Sequence, residues 1–225
     1  MTAWLKRPAQ GLVDLIYPKK TMCMGCGTQA GFERDWLCED CRVELAQRWY
    51  GAGQPPRGGL IDGAAFGYRY GGPVSGMVHN LKYRSAWQLA GPMARAMVSA
   101  LSGLQPLQID GVVPVPMHKK RLRERGRNHA ALLAEQVAAL MALPQIDALE
   151  RVRDTAQQAL LSDAERQSNL ENAFRLVRDV AGMRLLLVDD VCTTGATANA
   201  CAAALREGGA ASVVLLCYAE ARAET

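Results

Sequence analysis

The chain has no apolar run long enough to cross a bilayer. Its longest uncharged stretch, Val191 to Leu205, falls short of the about 20 apolar residues that a spanning helix needs, and threonines, a glycine and an asparagine interrupt it. The N-terminus carries Lys6 and Arg7, but the apolar stretch after them is short, broken by Asp14 and without a small-residue cleavage site, so no export signal is expected. Biased tracts are also missing. With 49% hydrophobic and 21% charged residues, the composition excludes a disordered chain. Histidine is scarce, and His79, His118 and His129 form no metal-binding spacing. There is no Walker loop and no Gly-x-Gly-x2-Gly. These absences leave a soluble cytoplasmic protein, not inserted in a membrane, as the expectation. At 225 residues it has room for one ordinary domain and something small.

Positive charge is concentrated in one place. From His118 to Arg127 the chain holds Lys119, Lys120, Arg121, Arg123, Arg125 and Arg127 against Glu124 alone. That segment is +5 in a chain of net charge +4, so the remainder is −1. Local charge of this kind points either to an anionic ligand or to a solvated helix face. No aromatic residue interleaves the run, which weakens the case for stacked bases there. His118, at its start, is the one histidine placed to matter.

Four of the seven cysteines fall at Cys23, Cys26, Cys38 and Cys41, two Cys-x2-Cys knuckles separated by eleven residues. Four thiolates so spaced can close a tetrahedron around Zn2+, with Gly25 and Gly27 easing the tight turn of the first knuckle. Two disulfides would be disfavoured in a reducing compartment, and a redox Cys-x2-Cys would need only one pair. A closed four-thiolate site would be structural. Cys192, Cys201 and Cys217 lack partner spacing and are expected as buried small hydrophobes. After the knuckles Val43 to Tyr50 is expected to finish a short helix. Residues 51–59, with four glycines and two prolines, then read as a linker between a zinc-binding module at 1–50 and a larger domain at 60–225.

The larger domain alternates strand and helix signals. Phe66, Tyr68 and Tyr70 suit a strand, Met77 to Arg84 and Trp87 to Leu101 suit helices, and Val112 to Pro116 is an apolar run ending in prolines. Asn128 to Met141 carries an apolar helical face, Leu149 to Val152 is a weak strand, and Arg184 to Val188 is a strand apolar on both faces. A helix from Ala196 to Glu207 and a strand from Ser212 to Tyr218 close the chain. The expected fold is α/β, a mostly parallel sheet flanked by helices, whose ligands bind at the carboxyl ends of strands.

One such end reads Leu185-Leu186-Leu187-Val188-Asp189-Asp190-Val191-Cys192-Thr193-Thr194-Gly195-Ala196-Thr197. The strand delivers two carboxylates, and a loop of hydroxyls and small residues opens into a helix. Free N–H groups at a helix start favour phosphate, Thr193, Thr194 and Thr197 add hydroxyls, and Gly195 admits close backbone approach. Ionised Asp189 and Asp190 are acceptors suited to the vicinal hydroxyls of a ribose. A capped helix with two solvated aspartates would explain only part of this order.

The segment resembles the signature of the type I phosphoribosyltransferases. With the four cysteines, Leu81-Lys82-Tyr83, Val113-Pro114-Val115-Pro116, Arg123-x-Arg125-Gly126-x-Asn128, and Thr155-x2-Gln158-x-Leu160-x5-Arg166-x2-Asn169-x3-Ala173-Phe174, nearly the whole chain resembles the ComF family. It departs at Arg127-Asn128-His129, where the family more often has Phe-Asn-Gln or Tyr-Asn-Gln. The resemblance implies binding of 5-phosphoribosyl 1-pyrophosphate with Mg2+, transfer of phosphoribosyl to an acceptor, and a link to DNA uptake and its competence machinery. It implies a 5-phosphate cradle formed by Thr193, Thr194, Gly195, Ala196 and Thr197, and a ribose held by Asp189 and Asp190. The pyrophosphate would lie near Val115, Pro116, Met117 and His118, with Lys119 or Arg125 reaching in. A mobile lid is implied over residues 153–166, where Arg166 would join the two aspartates in catalysis; an ordinary surface helix is the competing reading. The alternative function is a non-catalytic protein that binds single-stranded DNA and uses the phosphoribosyl site as a ligand sensor.

Overall fold

A computed structural model describes residues 21–30, 36–104, 107–153 and 173–221. Strands β1 (Thr21–Met22) and β2 (Gln29–Ala30) pair antiparallel around the first cysteine knuckle, and α1 (Glu39–Gln47) carries the last cysteine. Then come β3 (Trp49–Gly53), β4 (Gly63–Arg69), α2 (Gly72–Tyr83) and α3 (Ala90–Ala100). They are followed by β5 (Gly111–Pro114), α4 (Lys119–Arg125), α5 (His129–Met141), β6 (Leu149–Arg151) and β7 (Phe174–Leu176). Finally β8 (Arg184–Cys192), α6 (Ala196–Glu207) and β9 (Ser212–Glu220) supply the signature segment and the strand beside it.

The main sheet has the order β3-β4-β9-β8-β5. From β4 to β5 every pairing is parallel, while β3 runs antiparallel along the edge, so the sheet is mixed rather than wholly parallel. Leu185, Leu186, Leu187 and Val188 of β8 are all fully buried. Helices cover both faces, which is why this strand has no polar alternation. One core joins Leu186, Val188 and Leu216 to Met93, Leu133 and Val137, and the other joins Leu187 and Leu215 to Phe66, Cys201 and Leu205. Leu187 and Leu215 are register partners. Truncating either to alanine is expected to cost about 2–5 kcal/mol.

Several boundaries differ from the sequence expectation. The first helix ends at Gln47, and the segment read as a linker from Gly51 begins inside β3, where Gly51, Ala52 and Gly53 pair with Phe66, Ala65 and Ala64. Gly53 tolerates no side chain there, because a Cβ would stand 2.8 Å from the Phe66 ring. Gly53, one of the glycines that suggested a spacer, instead serves close packing of an edge strand. Helix α2 starts five residues earlier than expected, at Gly72, with Pro73 in its first turn. Strand β8 carries Asp189 and Asp190 as expected and runs on past them to Cys192. Cys192, Cys201 and Cys217 are buried, as expected.

Candidate functional site

Strand β8 ends in a three-residue bend, Thr193 to Gly195, that opens into α6. Gly195 has a left-handed backbone (φ 81°), and a Cβ on it would collide with the Pro56 ring, so conformation and space both require glycine. Thr194 Oγ1 accepts from Ala196 N at 3.3 Å, while Thr193 and Thr194 stay exposed and Thr197 is half-buried. The bend before α6 therefore carries two exposed hydroxyls, with a third, half-buried, in the first turn of the helix. Pro56 and the Arg57 carbonyl, which accepts from Asn199 Nδ2 at 2.7 Å, form a wall beside it.

The two aspartates differ. Asp190 is buried, and its Oδ1 pairs with Lys82 Nζ of α2 at 2.9 Å. Asp189, adjacent in the strand and so aimed at the other face, accepts from Asp190 N at 2.8 Å. Desolvation, with the neighbouring Asp190 charge second, lifts the Asp189 carboxyl to about 7. One carboxylate is thus pinned by a cation while the other holds a proton until near neutrality. Leu81-Lys82-Tyr83 contributed to the family resemblance, but a partner more than a hundred residues away could not be read from it. His129 is another residue the sequence did not single out. It is buried, its Nδ1 has no hydrogen-bond partner among the described residues, and burial depresses its basicity against the raising effect of Asp190.

The end of β5 lies beside this site. Val115 N donates to Val188 O at 2.9 Å, and Asn128, which caps α5 by accepting from Ala130 N, also donates to Val115 O at 3.0 Å. Pro116 and His118 are half-buried there, and His118 Nδ1 caps α4 by accepting from Lys120 N at 3.3 Å. Lys119 is turned to Glu150 of β6, at 2.7 Å, and Arg175 takes the other Glu150 oxygen at 2.8 Å. Arg125 donates to Tyr83 Oη at 3.0 Å and stacks over its ring at 4.9 Å, while Arg127 stacks over Trp87 at 4.4 Å. Two arginines of the basic run therefore stack on aromatic rings, although no aromatic lies within the run. The rings come from α2 and the turn after it, not from the run itself. Arg166 and residues 154–166 of the expected lid lie outside the described residues.

The sulfurs of Cys23, Cys26, Cys38 and Cys41 all fall within 4.8 Å of one another, with those of Cys26 and Cys38 3.7 Å apart. Zinc–sulfur bonds of about 2.3 Å in a tetrahedron place sulfurs roughly 3.8 Å apart, so the quartet fits zinc. Gly25 N and Cys38 N donate to Cys23 Sγ at 3.4 and 3.3 Å. Burial opposes ionisation of Cys23, yet backbone contacts from Cys26, Cys38 and Gly25 leave it below the ordinary thiol value. A hydrogen bond from Thr28 brings Cys26 to about 6, and burial pushes Cys41 up. The knuckle packs on α2, where Asn80 Nδ2 donates to Met24 O at 2.9 Å.

Comparison with known proteins places this architecture. Residues 127–225 match the phosphoribosyl transferase domain. The chain is 33% identical over 208 residues to DNA utilization protein YhgH of Salmonella typhimurium, covering 87% of this chain and 88% of the relative. Over 213 residues it is 31% identical to Competence protein F of Haemophilus influenzae, covering 87% and 89%. The chain belongs to the ComF family. Its fold is that of the type I phosphoribosyltransferases. A solved glutamine phosphoribosylpyrophosphate amidotransferase from B. subtilis aligns over 58% of the chain and 25% of its own length, at 22% identity and a TM-score of 0.37. In this ComF-family protein the matched domain begins at Arg127 and takes in β8, the bend after it and α6. The cysteine quartet, β3 and most of the basic run precede it.

Proposed function

We propose that this ComF-family protein binds 5-phosphoribosyl 1-pyrophosphate with Mg2+ across the carboxyl ends of β8 and β5 and transfers the phosphoribosyl group to a nitrogen nucleophile, in support of DNA use or uptake. The observation that carries this is the order at β8: two carboxylates in a buried strand, a hydroxyl-bearing bend, and a helix that starts directly after it. Thr193, Thr194, Thr197 and the N–H groups at the start of α6, past Gly195 and Ala196, would bind the 5-phosphate. The ribose hydroxyls would donate to Asp189 and Asp190. Pyrophosphate would lie along Pro116 and His118, with Lys119 and Arg125 turning in from Glu150 and Tyr83. Mg2+, held by the diphosphate and the two aspartates, would neutralise charge on the leaving group.

In the reaction the C1–O bond to pyrophosphate breaks and a C1–N bond forms, so positive charge develops on the ribose between the two steps. Asp190, and Asp189 once it has lost its proton, would stabilise that charge from the end of β8, and Arg166 would join them in catalysis. Zn2+ at Cys23, Cys26, Cys38 and Cys41 would be structural. The link to DNA rests on the names of the relatives and on the basic face.

A second reading has its own support. Tyr83 and Trp87 are exposed, each under a guanidinium, and such rings beside cations suit single-stranded DNA. In that case the protein serves the competence machinery as a strand-binding protein that senses the phosphoribosyl ligand without turnover. Pyrophosphate release in the presence of a panel of nitrogen acceptors separates the two. Acceptor-dependent release supports the transferase; ligand binding without release under any acceptor favours the sensor.

A further inference from the structure

A cavity of about 410 Å3 lies on the opposite side of β9 from the Asp189–Asp190 strand, where the cysteine module meets the main sheet. Its walls carry Trp49, Tyr68 and Tyr218, one ring from each of β3, β4 and β9, joined edge to face at 5.5 and 5.4 Å. Arg42 of α1, and Arg95 and Ser99 of α3, complete the polar lining. No carboxylate lines the cavity among the described residues. Arg42 pairs with Glu39 through NH2 at 3.0 Å, and its buried Nε has no partner among the described residues. Arg95 is exposed and has no ion pair among the described residues.

An aromatic cluster beside two guanidiniums suits a flat ring joined to an anion. Rings offer stacking faces to a heteroaromatic base, and guanidiniums offer forked donors to phosphate. The volume is in the range of small-molecule pockets and admits a ligand of mononucleotide size. None of the residues assigned to the phosphoribosyl site belongs to this lining. We propose that the cavity is a second ligand site, taking a free nucleoside monophosphate with its base against Trp49 and Tyr68 and its phosphate between Arg42 and Arg95. Because Leu37, Arg42 and Leu45 line one side and the sheet the other, the bound nucleotide fastens the cysteine module to the sheet.

The test is calorimetric titration of the full zinc-loaded chain with AMP and UMP, beside adenosine and ribose 5-phosphate, which carry only ring or only phosphate. A mononucleotide is expected to bind more tightly than either fragment. Arg95→Gln, at an exposed position that leaves the fold intact, and Trp49→Leu are each expected to weaken it at least about tenfold. Asp189→Asn with Asp190→Asn is expected to leave it unchanged. The proposal is overturned if no mononucleotide binds at millimolar concentration or if Arg95→Gln binds like the wild type. It is equally overturned if binding is lost in the double aspartate variant, which would place the nucleotide at the phosphoribosyl site, or if only a single strand, and no free nucleotide, depends on Arg95.

Discussion

Lys82 Nζ of α2 lies 2.9 Å from Asp190 Oδ1 of β8, so the central carboxylate of the signature segment is held by a cation from a distant part of the chain. Both groups are mostly buried, and neither can lose the other cheaply. Lys82→Met is expected to destabilise the fold by about 2–4 kcal/mol, mainly by stranding a buried charge. Adding Asp190→Asn should restore much of the loss. Denaturant titration of the two single variants and the double variant measures the coupling.

Ligand-linked stability addresses the phosphoribosyl site. A ligand at one hundred times its Kd should add about 2.7 kcal/mol to the wild type. Mg2+ with 5-phosphoribosyl 1-pyrophosphate should raise its Tm accordingly, and Asp189→Asn with Asp190→Asn should remove the rise. An undiminished affinity in that double variant would refute the proposed site.

Asp189 should govern part of the pH dependence. Its carboxyl is raised to about 7 in the folded state, from about 3.9 in an unfolded chain. Between these values the folded state holds a proton that the unfolded chain has released, so stability falls as pH rises through the window. Asp189→Asn should therefore stabilise the protein at pH 8 and change little at pH 4. Thermal melts of both proteins across this range would check the sign.

The cysteine quartet should hold one zinc per chain, measurable by elemental analysis after purification without chelators. Cys38→Ser should reduce that content. Buried Cys41 and Leu37 share a core with α2, so loss of the ion should also lower Tm.

For DNA, the aromatic–arginine surface and the Lys119 face make different predictions. Arg125→Gln with Arg127→Gln should weaken single-strand binding and lower the salt slope by roughly 0.7 for each phosphate that is no longer neutralised. Tyr83→Ala should cost about 1–3 kcal/mol of binding if a base stacks there. Lys119, Lys120 and Arg121 changed to Gln test the other end of the run, and unchanged slopes in both sets would exclude it as the strand's track.

Much of this was legible because the signals are local. The four cysteines, the apolar strand into Asp189 and Asp190, and the Thr-Gly opening of α6 each announce themselves within a few residues. What escaped depends on distant partners. Lys82 finds Asp190, Tyr83 and Trp87 find Arg125 and Arg127, and Lys119 finds Glu150, all through the fold. Strand β3 was missed for another reason. Gly51 and Gly53 resemble spacer residues until Phe66 and Tyr50 are seen pressed against the second of them.

The packing of Pro56 on Gly195 changes what can be built into this protein. A stretch rich in glycine and proline usually accepts a tag, a cleavage site or a guest domain. Here Pro56 lies on the bend that opens α6, and the Arg57 carbonyl holds Asn199 one turn further along. Extra residues between Gln54 and Gly58 would leave the sheet and the cysteine quartet standing while prising away one side of the proposed phosphate cradle. Such an insertion would register in ligand affinity before it registered in folding, which makes that stretch a poor graft site and a sensitive place to install a spectroscopic label.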